Sequence, residues 1–279
     1  MDIKFHCGLE GNFPHKWQTV RAFLYSDYSV SPHNHDFYEM NIVLGGTGIH
    51  RIGNACFDVK AGDVFVIPPM TVHAYNDTCD LDVYHILLRK EFILENHSEA
   101  AEVPGFLQLV EIEPFLRQNF TGEMFLHLSG SQLMQLKNDL SFIEEGRVFD
   151  TEPLAPLKNH TTWKILYWFS ELLFLQMQKK DEKNKYDMEI VKILEFIHQN
   201  YESKITIDLL CQKSFLSRST FLRSFQSMCR CTPMEYVNRY RCKKAVELMG
   251  NTHLSKTEIA HNCGFYDLSH MERTIKQLL

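Results

Sequence analysis

The sequence lacks any long uninterrupted run of apolar residues. Its most apolar region, residues 165–177, contains Ser170, Glu171 and Gln176 and is shorter than the roughly 20 residues of a membrane-spanning helix. The first residues, MDIKFHCGLEG, also lack the basic-then-apolar pattern of a secretory signal. We therefore expect a cytoplasmic protein with no membrane partner.

Cysteine pairs at metal-binding or disulfide-framework spacing are also missing. The chain has eight cysteines and no CxxC pair. Only Cys229 and Cys231 lie close together, and no histidine follows them at zinc-finger spacing. The cysteines therefore predict reduced thiols.

The charge of the chain is unevenly distributed. Its 279 residues, 44% hydrophobic and 23% charged, are typical of a globular protein with two domains. The net charge is −6, yet residues 203–245 carry nine basic and two acidic side chains. This local excess indicates a polyanion-binding segment, and a solvated basic face is the alternative.

Two kinds of hydrophobic pattern divide the chain. Up to about Leu88, strand-length apolar runs such as FYEMNIVL, IHRIG and VFVIPP are separated by glycines, which predicts an antiparallel β-barrel or sandwich. From about Ser131 the period becomes helical. We therefore predict an α+β protein with an N-terminal antiparallel β-barrel, flanking helices and an all-α C-terminal domain.

The segment from Trp163 to Met177 has apolar residues on two helical faces. One face carries Ile165, Trp168, Leu172 and Leu175, and the other carries Leu166, Phe169, Leu173 and Met177. A helix covered on two sides needs a second packing partner. We predict a homodimer through helices at 131–177, and the second domain is the alternative partner.

The charged segment QKKDEKNKYD separates the two patterns. We predict a first domain at 1–177 for effector binding and dimerisation, a linker at 178–187 and a helical domain at 188–279.

The C-terminal part contains an internal repeat. TIDLLCQKSFLSRSTFLRSFQ matches SKTEIAHNCGFYDLSHMERTIK at an offset of 49, which becomes 50 after the turn. Each copy reads as a capped helix, a short turn and a second helix, which is the spacing of a helix-turn-helix unit. Gly264 supplies the turn in the second copy.

The second helix of each copy has polar side chains at outward positions. In the first copy the outward residues are Arg218, Ser219, Leu222, Arg223 and Gln226, of which only the leucine is apolar, and in the second they are Ser269, His270, Arg273 and Lys276. Arginine binds guanine or phosphate, and serine and glutamine bond base edges or phosphate. The sequence predicts these nine residues as DNA contacts.

Residues 190–279 resemble the DNA-binding domain of the AraC/XylS family of bacterial transcription regulators. The matching stretches are LSRSTFLRSF, TPMEYVNRYRCKKAVELM and EIAHNCGFYDLSHMERTIK. The resemblance implies two helix-turn-helix units joined by a long helix, about Pro233 to Met249, that enter successive major grooves of double-stranded DNA. It implies RNA polymerase as a partner if the protein is an activator, and a structural or phosphate-binding role for Arg241.

The chain departs from the family pattern in three places. His270 and Met271 stand where an aromatic pair is usual, and Ile275 stands where phenylalanine is usual. By the repeat offset, the counterpart of Thr232-Pro233 would fall beyond Leu279, so we expect weaker DNA binding by the second unit.

The stretch SPHNHDFYEMN places four polar residues at positions of equal parity. On one extended strand His33, His35, Glu39 and Asn41 would point to one side, and His73 ends a later strand. His33, His35, Glu39 and His73 resemble the two motifs of a metal-binding cupin barrel, for which zinc, nickel, iron or manganese would be suitable ions. The same histidine and glutamate pattern resembles sensor barrels of the AraC/XylS family that bind small polar ligands without metal.

Three interpretations of this cluster follow. In the first, the cluster is a pocket for a small-molecule effector, formed by His33, His35, Glu39, Asn41 and His73. In the second, the three histidines and Glu39 hold a metal, and in the third all five are structural polar residues. We predict a transcription regulator that senses a small polar metabolite, and among such metabolites we favour a carbohydrate. The alternatives are a metal-dependent cupin enzyme with a helical appendage and a regulator that has lost DNA binding.

Overall fold

The computed structural model describes residues 2–53, 55–119, 125–146, 151–180 and 185–278. The chain divides into two compact units, residues 1–180 and 181–279. In the part of the chain so described, no helix has both the length and the apolar character to cross a membrane.

The first unit is built on eight strands. They are β1 Phe5–Cys7, β2 Val20–Tyr25, β3 Val30–His35, β4 Tyr38–Ile52, β5 Ala55–Lys60, β6 Asp63–Ile67, β7 His73–Leu88 and β8 Leu126–His127. The sheet order is β1-β3-β7-β4-β6-β8, with β2 paired to β7 and β5 paired to β4. All pairs are antiparallel except β1 with β3, which is parallel and which the sequence pattern did not predict.

The long strands β4 and β7 form the centre of the sheet. They pair from Tyr38 opposite Leu88 to Ile52 opposite His73, with bulges between Val43 and Ile49. An apolar core beside them includes Val43 of β4, Tyr75, Leu81 and Val83 of β7, and Phe65 of the adjacent β6. This core leaves the polar cluster of the same strands at one side of the barrel interior.

Six α-helices flank the sheet. They are α1 Leu9–Asn12, α2 Lys90–Leu94, α3 His97–Ala100, α4 Glu113–Asn119, α5 Gly130–Ile143 and α6 Ala155–Lys180, with a π-helical turn at Gln108–Ile112 and a 3-10 turn at Glu152–Leu154. Ser129 begins α5 with a capping box to Gln132. Both helices predicted at 131–177 are therefore present.

The two faces predicted for α6 have different environments. Leu166, Phe169, Leu173 and Met177 are buried, and so is Ile165, the first residue of the other predicted face. Trp168 and Leu172 are only half-buried, and Leu175 is 45% exposed. The first unit by itself thus covers one face of the helix.

In the described residues of the second unit, all regular secondary structure is α-helical. Its helices are α7 Lys185–Asn200, α8 Ile207–Ser214, α9 Arg218–Cys229, α10 Pro233–Asn251, α11 Lys256–Asn262 and α12 Leu268–Leu278. Thr206, Ser217, Thr232 and Ser255 accept a backbone N–H at the start of α8, α9, α10 and α11. The two helix-turn-helix units and the long connecting helix agree with the repeat.

The predicted linker is only partly described. Residues 178–180 end α6 and residues 185–187 begin α7, whereas residues 181–184 lie outside the described residues. The linker at 178–187 therefore stays a prediction, with helical residues at both of its ends.

Arg241 has a structural role in the second unit. It is buried, and its guanidinium donates to the carbonyl oxygens of Tyr201 and Ser203 at 2.8 Å each. These carbonyls lie in the turn after α7, so Arg241 on α10 fixes that turn to the long connecting helix. Each of the eight cysteines has a free thiol.

Candidate functional site

A cavity of about 720 Å³ opens in the first unit beside strands β2, β3 and β4. Its aromatic lining residues are Phe5, Phe23, Tyr25, Tyr28 and Phe37, and its ionisable ones include Arg21, His33, His35, Glu39 and His85. The size and the mixture of apolar walls with a few polar groups are those of a small-molecule site. We call this cavity the barrel pocket.

Glu39 lies at the floor of the barrel pocket among histidines. Its Oε2 is 3.0 Å from Nε2 of His35 and 3.4 Å from Nε2 of His73, and its Oε1 is 2.6 Å from Nδ1 of His85. All four side chains are at most 5% exposed. A buried carboxylate thus has three imidazoles as neighbours.

Three imidazoles near Glu39 have a fixed tautomer. The Nδ1 atoms of His33, His35 and His73 lie 3.0, 2.7 and 3.1 Å from the carbonyl oxygens of Ser31, Phe37 and Thr71. Because a carbonyl oxygen only accepts, each Nδ1 carries the proton, and Nε2 of a neutral ring is left as an acceptor. In His35 and His73 this Nε2 is buried without a hydrogen-bond donor among the described residues.

The charges of the cluster do not balance if the rings are neutral. Burial by itself would raise the pKa of Glu39, but its contacts with His35, His73 and His85 outweigh burial and hold that pKa well below its usual range. Burial, with help from the adjacent His73, lowers the pKa of His33 to about 4. A charged carboxylate beside imidazole lone pairs requires either imidazolium protons or a cation between them.

The residues fit a metal ion. One ligand atom each from His33, Glu39 and His73 can be chosen so that all lie within 4.8 Å of one another. Two ligands on opposite sides of an ion with bonds of about 2.1 Å would be roughly 4 Å apart, so a small adjustment would close the site. His85 donates from Nδ1 to Oε1 of Glu39 and would orient the carboxylate, as hydrogen-bond partners of metal ligands usually do.

Asn41, His50 and His73 are fully buried and, unlike Glu39, do not line the barrel pocket. The Asn41 amide donates to the Tyr75 hydroxyl at 3.3 Å, and His50 stacks on the Tyr75 ring at 4.2 Å. Both ring nitrogens of His50 are buried without a partner among the described residues, and burial lowers its pKa well below the usual value. Asn41 and His73 therefore belong to the interior behind the pocket and do not line its wall.

The single-strand prediction for His33 to Asn41 is wrong. β3 ends at His35, the chain bends at Asp36 and Phe37, and β4 begins at Tyr38. The bend is held by His35, whose backbone carbonyl accepts from Met70 and whose ring donates to Phe37. His33 and His35 lie on β3 and Glu39 lies on β4, and both strands pair with β7, so the equal parity in sequence was not what brought these residues together.

Sequence reasoning missed His85 and the aromatic walls. Phe23 on β2 lies opposite His85 on β7 in the register, and the two rings stack at 5.4 Å. Tyr28 contacts the same imidazole edge-to-face at 4.6 Å. The alternation of Arg21, Phe23 and Tyr25 is the sequence signal that could have found this wall, because period-two residues share one face of a strand.

Arg21 joins the pocket wall to the end of α5. Its guanidinium donates to both oxygens of Glu145 at 2.9–3.0 Å, and lies 5.0 Å from the Phe23 ring centre. The backbone N–H of Glu145 also donates to Ala22 at 2.7 Å. The segment after α5 is thus attached to β2 beside the pocket.

The first predicted recognition helix, α9, presents most of its proposed contacts to solvent. Arg218, Ser219, Arg223 and Gln226 are exposed, and Leu222 is half-buried. Phe221 and Phe225 are buried on the opposite face, as the sequence indicated. Arg218 forms an ion pair with Asp208 on α8, so any phosphate contact would compete with that pair.

The second recognition helix, α12, has the same overall arrangement. Ser269, Arg273 and Lys276 are exposed. His270 is half-buried, with its ring edge-to-face with Phe265 at 5.4 Å and its Nδ1 without a partner among the described residues. His270 therefore packs against its own unit in part.

Sequence comparison gives two family matches that together span more than half of the chain. Residues 19–132 match the AraC-like ligand binding domain, and residues 210–279 match a helix-turn-helix domain. The first match contains most of the residues that line the barrel pocket, all except Phe5, Cys7 and Asn12, and the second contains α9 to α12.

Whole-length relatives support the same assignment. The chain is 25% identical over 248 residues to the HTH-type transcriptional activator RhaS of Citrobacter koseri, and 24% identical over 247 residues to RhaS of Escherichia coli. Each alignment covers 88% of this chain and 83% of the relative. Among solved structures, the DNA-binding domain of AdpA in complex with a target DNA aligns with a TM-score of 0.31 and 21% identity, over 32% of this chain and 80% of that one.

These matches assign DNA binding to the second unit and ligand binding to the first, and they leave no support for the enzyme alternative. The chain belongs to the AraC family of DNA-binding transcription regulators, with an AraC-like ligand-binding domain followed by a helix-turn-helix domain.

Proposed function

We propose that this regulator senses a small polar metabolite of the carbohydrate type in the barrel pocket, and that the bound metabolite changes how the second unit engages double-stranded DNA. The observation that carries the proposal is a polar floor around buried Glu39 beneath aromatic walls. The relatives named RhaS are transcriptional activators. We extend that role to this chain, with RNA polymerase as its further partner and the cytoplasm as its location.

The chemistry of the barrel pocket suits a sugar. Aromatic faces such as those of Phe23, Tyr28 and Phe37 can cover the apolar C–H face of a sugar ring. The Glu39 carboxylate accepts from hydroxyl groups, and imidazole nitrogens either donate or accept. A pocket with two carboxylates, Asp27 and Glu39, and several imidazoles therefore favours a ligand with several hydroxyls.

Calorimetric titration with a panel of neutral monosaccharides, and with sugar acids as a second arm, tests this proposal. We expect at least one sugar to bind, and Glu39→Gln to weaken it about tenfold or more, because a charged hydrogen-bond acceptor is lost. Glu111→Gln is the matched control, since Glu111 is also buried and bonded to a histidine, His97 at 2.8 Å, but lies outside the pocket. A panel without any binder, or equal losses in both variants, would contradict the proposal.

A second candidate is a divalent metal at the floor of the pocket, held by His33, Glu39 and His73 with His35 adjacent. The fixed Nδ1 tautomers support it, because metal-binding histidines usually donate their other N–H to a backbone carbonyl or carboxylate. Zinc, nickel, iron and manganese all accept imidazole and carboxylate ligands. Such an ion, when bound, would act as a Lewis acid that attracts the oxygen atoms of the effector.

Elemental analysis of the purified protein tests the metal candidate. We expect close to one equivalent of a transition metal per chain, which is lost in His73→Ala. His97→Ala is the control and should retain the metal, because His97 also contacts a glutamate, Glu111, but lies elsewhere in the unit. If neither the protein as purified nor protein titrated with zinc, nickel, iron and manganese ions retains metal, the pocket functions without one.

The DNA surface proposed here is the exposed face of α9 together with that of α12. The proposed contacts are Arg218, Ser219, Leu222, Arg223, Gln226, Ser269, His270, Arg273 and Lys276. Their support is the exposure of seven of them and the basic surroundings of α9, with nine basic and two acidic residues in 203–245. Leu222 and His270, which are half-buried, are placed at the edge of this surface.

The proposed homodimer uses α5 and α6. An apolar groove of about 620 Å³ lies along them, lined by Trp168, Phe174 and Leu175 among others. Leu175 is exposed and Trp168 is half-buried on the same face of α6. This apolar face could pack against the same face of a second chain across a two-fold axis.

A further inference from the structure

Each helix-turn-helix turn carries an aromatic ring that is almost fully exposed. Phe215 between α8 and α9 is 91% exposed, and Tyr266 between α11 and α12 is 86% exposed. Among the described residues these are the two most exposed large apolar side chains, and Met134 follows at 74%. Both rings stand just before a recognition helix, two residues before the cap Ser217 and one before Asp267, whose carboxylate accepts the N–H of His270.

Phe215 also holds an unfavourable backbone conformation. Its φ of 54° and ψ of 20° are left-handed, and it is the only aromatic residue among the described non-glycine residues with positive φ. At the repeat offset of 49 the equivalent residue is Gly264, with φ of 73°. A bulky side chain is disfavoured in this conformation and glycine is not. The first unit therefore tolerates both backbone strain and an exposed apolar ring where its own repeat uses glycine.

The need for glycine differs between the two positions. A Cβ on Gly264 would lie 2.5 Å from the carbonyl oxygen of Tyr201, so no side chain fits there. Phe215 points into solvent, so its side chain is free to meet a partner. Strain that the fold does not require is a reason to look for a function of the residue.

The surroundings of Phe215 favour DNA over a protein partner. The exposed residues close to it in sequence, Gln212, Lys213, Ser217 and Arg218, are polar or basic. Among the described residues from 187 to 245, Phe215 is the only large apolar side chain that is exposed, whereas protein-binding patches contain several. The N-terminal end of α9 adds the positive end of a helix dipole. A surface with basic side chains and one isolated aromatic ring matches the surface of a DNA duplex. The phosphates pair with the basic side chains, and deoxyribose or a thymine methyl group offers an apolar surface for the ring.

We propose that Phe215 is a DNA contact, with its ring packed on deoxyribose or on a thymine methyl beside the groove that α9 occupies. Tyr266, two residues after the equivalent Gly264, presents a second exposed ring in the turn of the second unit. The inference rests on the proposed role of α9 as the DNA-reading helix. It adds an apolar contact to a surface otherwise composed of charged and hydrogen-bonding groups.

The test uses the full chain and a duplex selected from random DNA by the wild-type protein. Phe215→Gly should melt at a temperature at least as high as wild type, because glycine relieves the left-handed strain, yet bind the duplex about tenfold more weakly. Phe215→Tyr keeps a ring and should bind within about twofold of wild type. Met70→Gly is the matched control, since Met70 also has positive φ, 64°, and is 58% exposed, but lies in the first unit.

Salt dependence separates an apolar contact from an ionic one. Phe215→Gly should leave the log–log slope of affinity against salt unchanged, whereas Arg223→Ala, if Arg223 contacts phosphate, should reduce it by about one. Wild-type affinity in Phe215→Gly overturns the proposal. Wild-type affinity with reduced transcription activation also overturns it and assigns the ring to a protein partner. A wild-type protein that selects no duplex would contradict the proposed DNA surface as well as this contact.

Discussion

Gly264 shows how one residue fixes the packing of the second unit. Its φ of 73° is left-handed, and a Cβ would meet the carbonyl oxygens of Tyr201 and Glu202 at 2.5 and 2.7 Å. Gly264→Ala should therefore lower the free energy of unfolding of this unit by about 2–5 kcal/mol, from the left-handed backbone and the overpacking together. All three tryptophans, Trp17, Trp163 and Trp168, lie in the first unit. The helical circular dichroism transition should shift to lower temperature while the tryptophan fluorescence transition stays in place.

Gly250 supplies the matched control for this prediction. It lies in α10, its φ is not in the left-handed region, and a Cβ would have no heavy atom within 4 Å. Gly250→Ala should stabilise the unit by about 0.5–1 kcal/mol, because alanine restricts the unfolded chain and favours helix. If both alanine variants shifted the transition in the same direction, the close approach at Gly264 would not be its cause.

At the same residue scale, part of the pocket floor could be predicted from the sequence. Histidine and glutamate at short spacing pointed to His33, His35 and Glu39, and these do meet in the structure. His85 was missed because it lies within the apolar run DVYHILL and has no polar neighbour in sequence to mark it. It reaches Glu39 only because β7 pairs with β4, and such pairing is not visible in a single sequence.

At the scale of elements, α6 has one face that packs on the first unit and another that we propose for assembly. Its buried face holds the helix on its own unit, so Phe169, fully buried, cannot serve an interface. The face of Trp168, Leu172 and Leu175 remains partly exposed. An apolar stripe on a surface helix usually marks a partner.

Leu175→Asp should convert a dimer into a folded monomer. In an apolar interface the introduced carboxylate would be buried without a hydrogen-bond partner. Its loss of hydration would exceed the free energy of association. Because Leu175 is 45% exposed in the single chain, the substitution should leave the thermal transition of the first unit close to wild type. Sedimentation velocity at micromolar concentration measures the oligomeric state.

Leu254→Asp is the control for this change, since Leu254 is 38% exposed and lies in the second unit. It should sediment as wild type does. A wild-type protein that sediments as a monomer at these concentrations would refute the interface on α6.

Element boundaries were predictable where the local sequence decides them. The caps Thr206, Ser217 and Ser255 mark helix starts because each accepts a backbone N–H within its own turn. The bend between β3 and β4 was not predictable, because it depends on Met70, 35 residues after His35, donating to the His35 carbonyl. Long-range contacts of this kind leave no periodic signal in sequence.

At the scale of the whole molecule, the account requires that the barrel pocket and the DNA-binding unit are energetically coupled. A ligand shifts DNA affinity only if it binds the two arrangements of the protein with different affinities. The coupling must be reciprocal, so DNA must change ligand affinity by the same factor. A coupling of about 1–3 kcal/mol corresponds to a 5- to 150-fold change.

The most direct measurement is the dissociation constant of the best-binding sugar from the panel, determined by calorimetry with and without a saturating amount of the selected duplex. The account predicts that DNA changes this constant about fivefold or more, by the same factor by which the sugar changes DNA affinity. A sugar that binds the barrel pocket with equal affinity in the presence and absence of DNA would contradict the central claim that this pocket controls DNA binding.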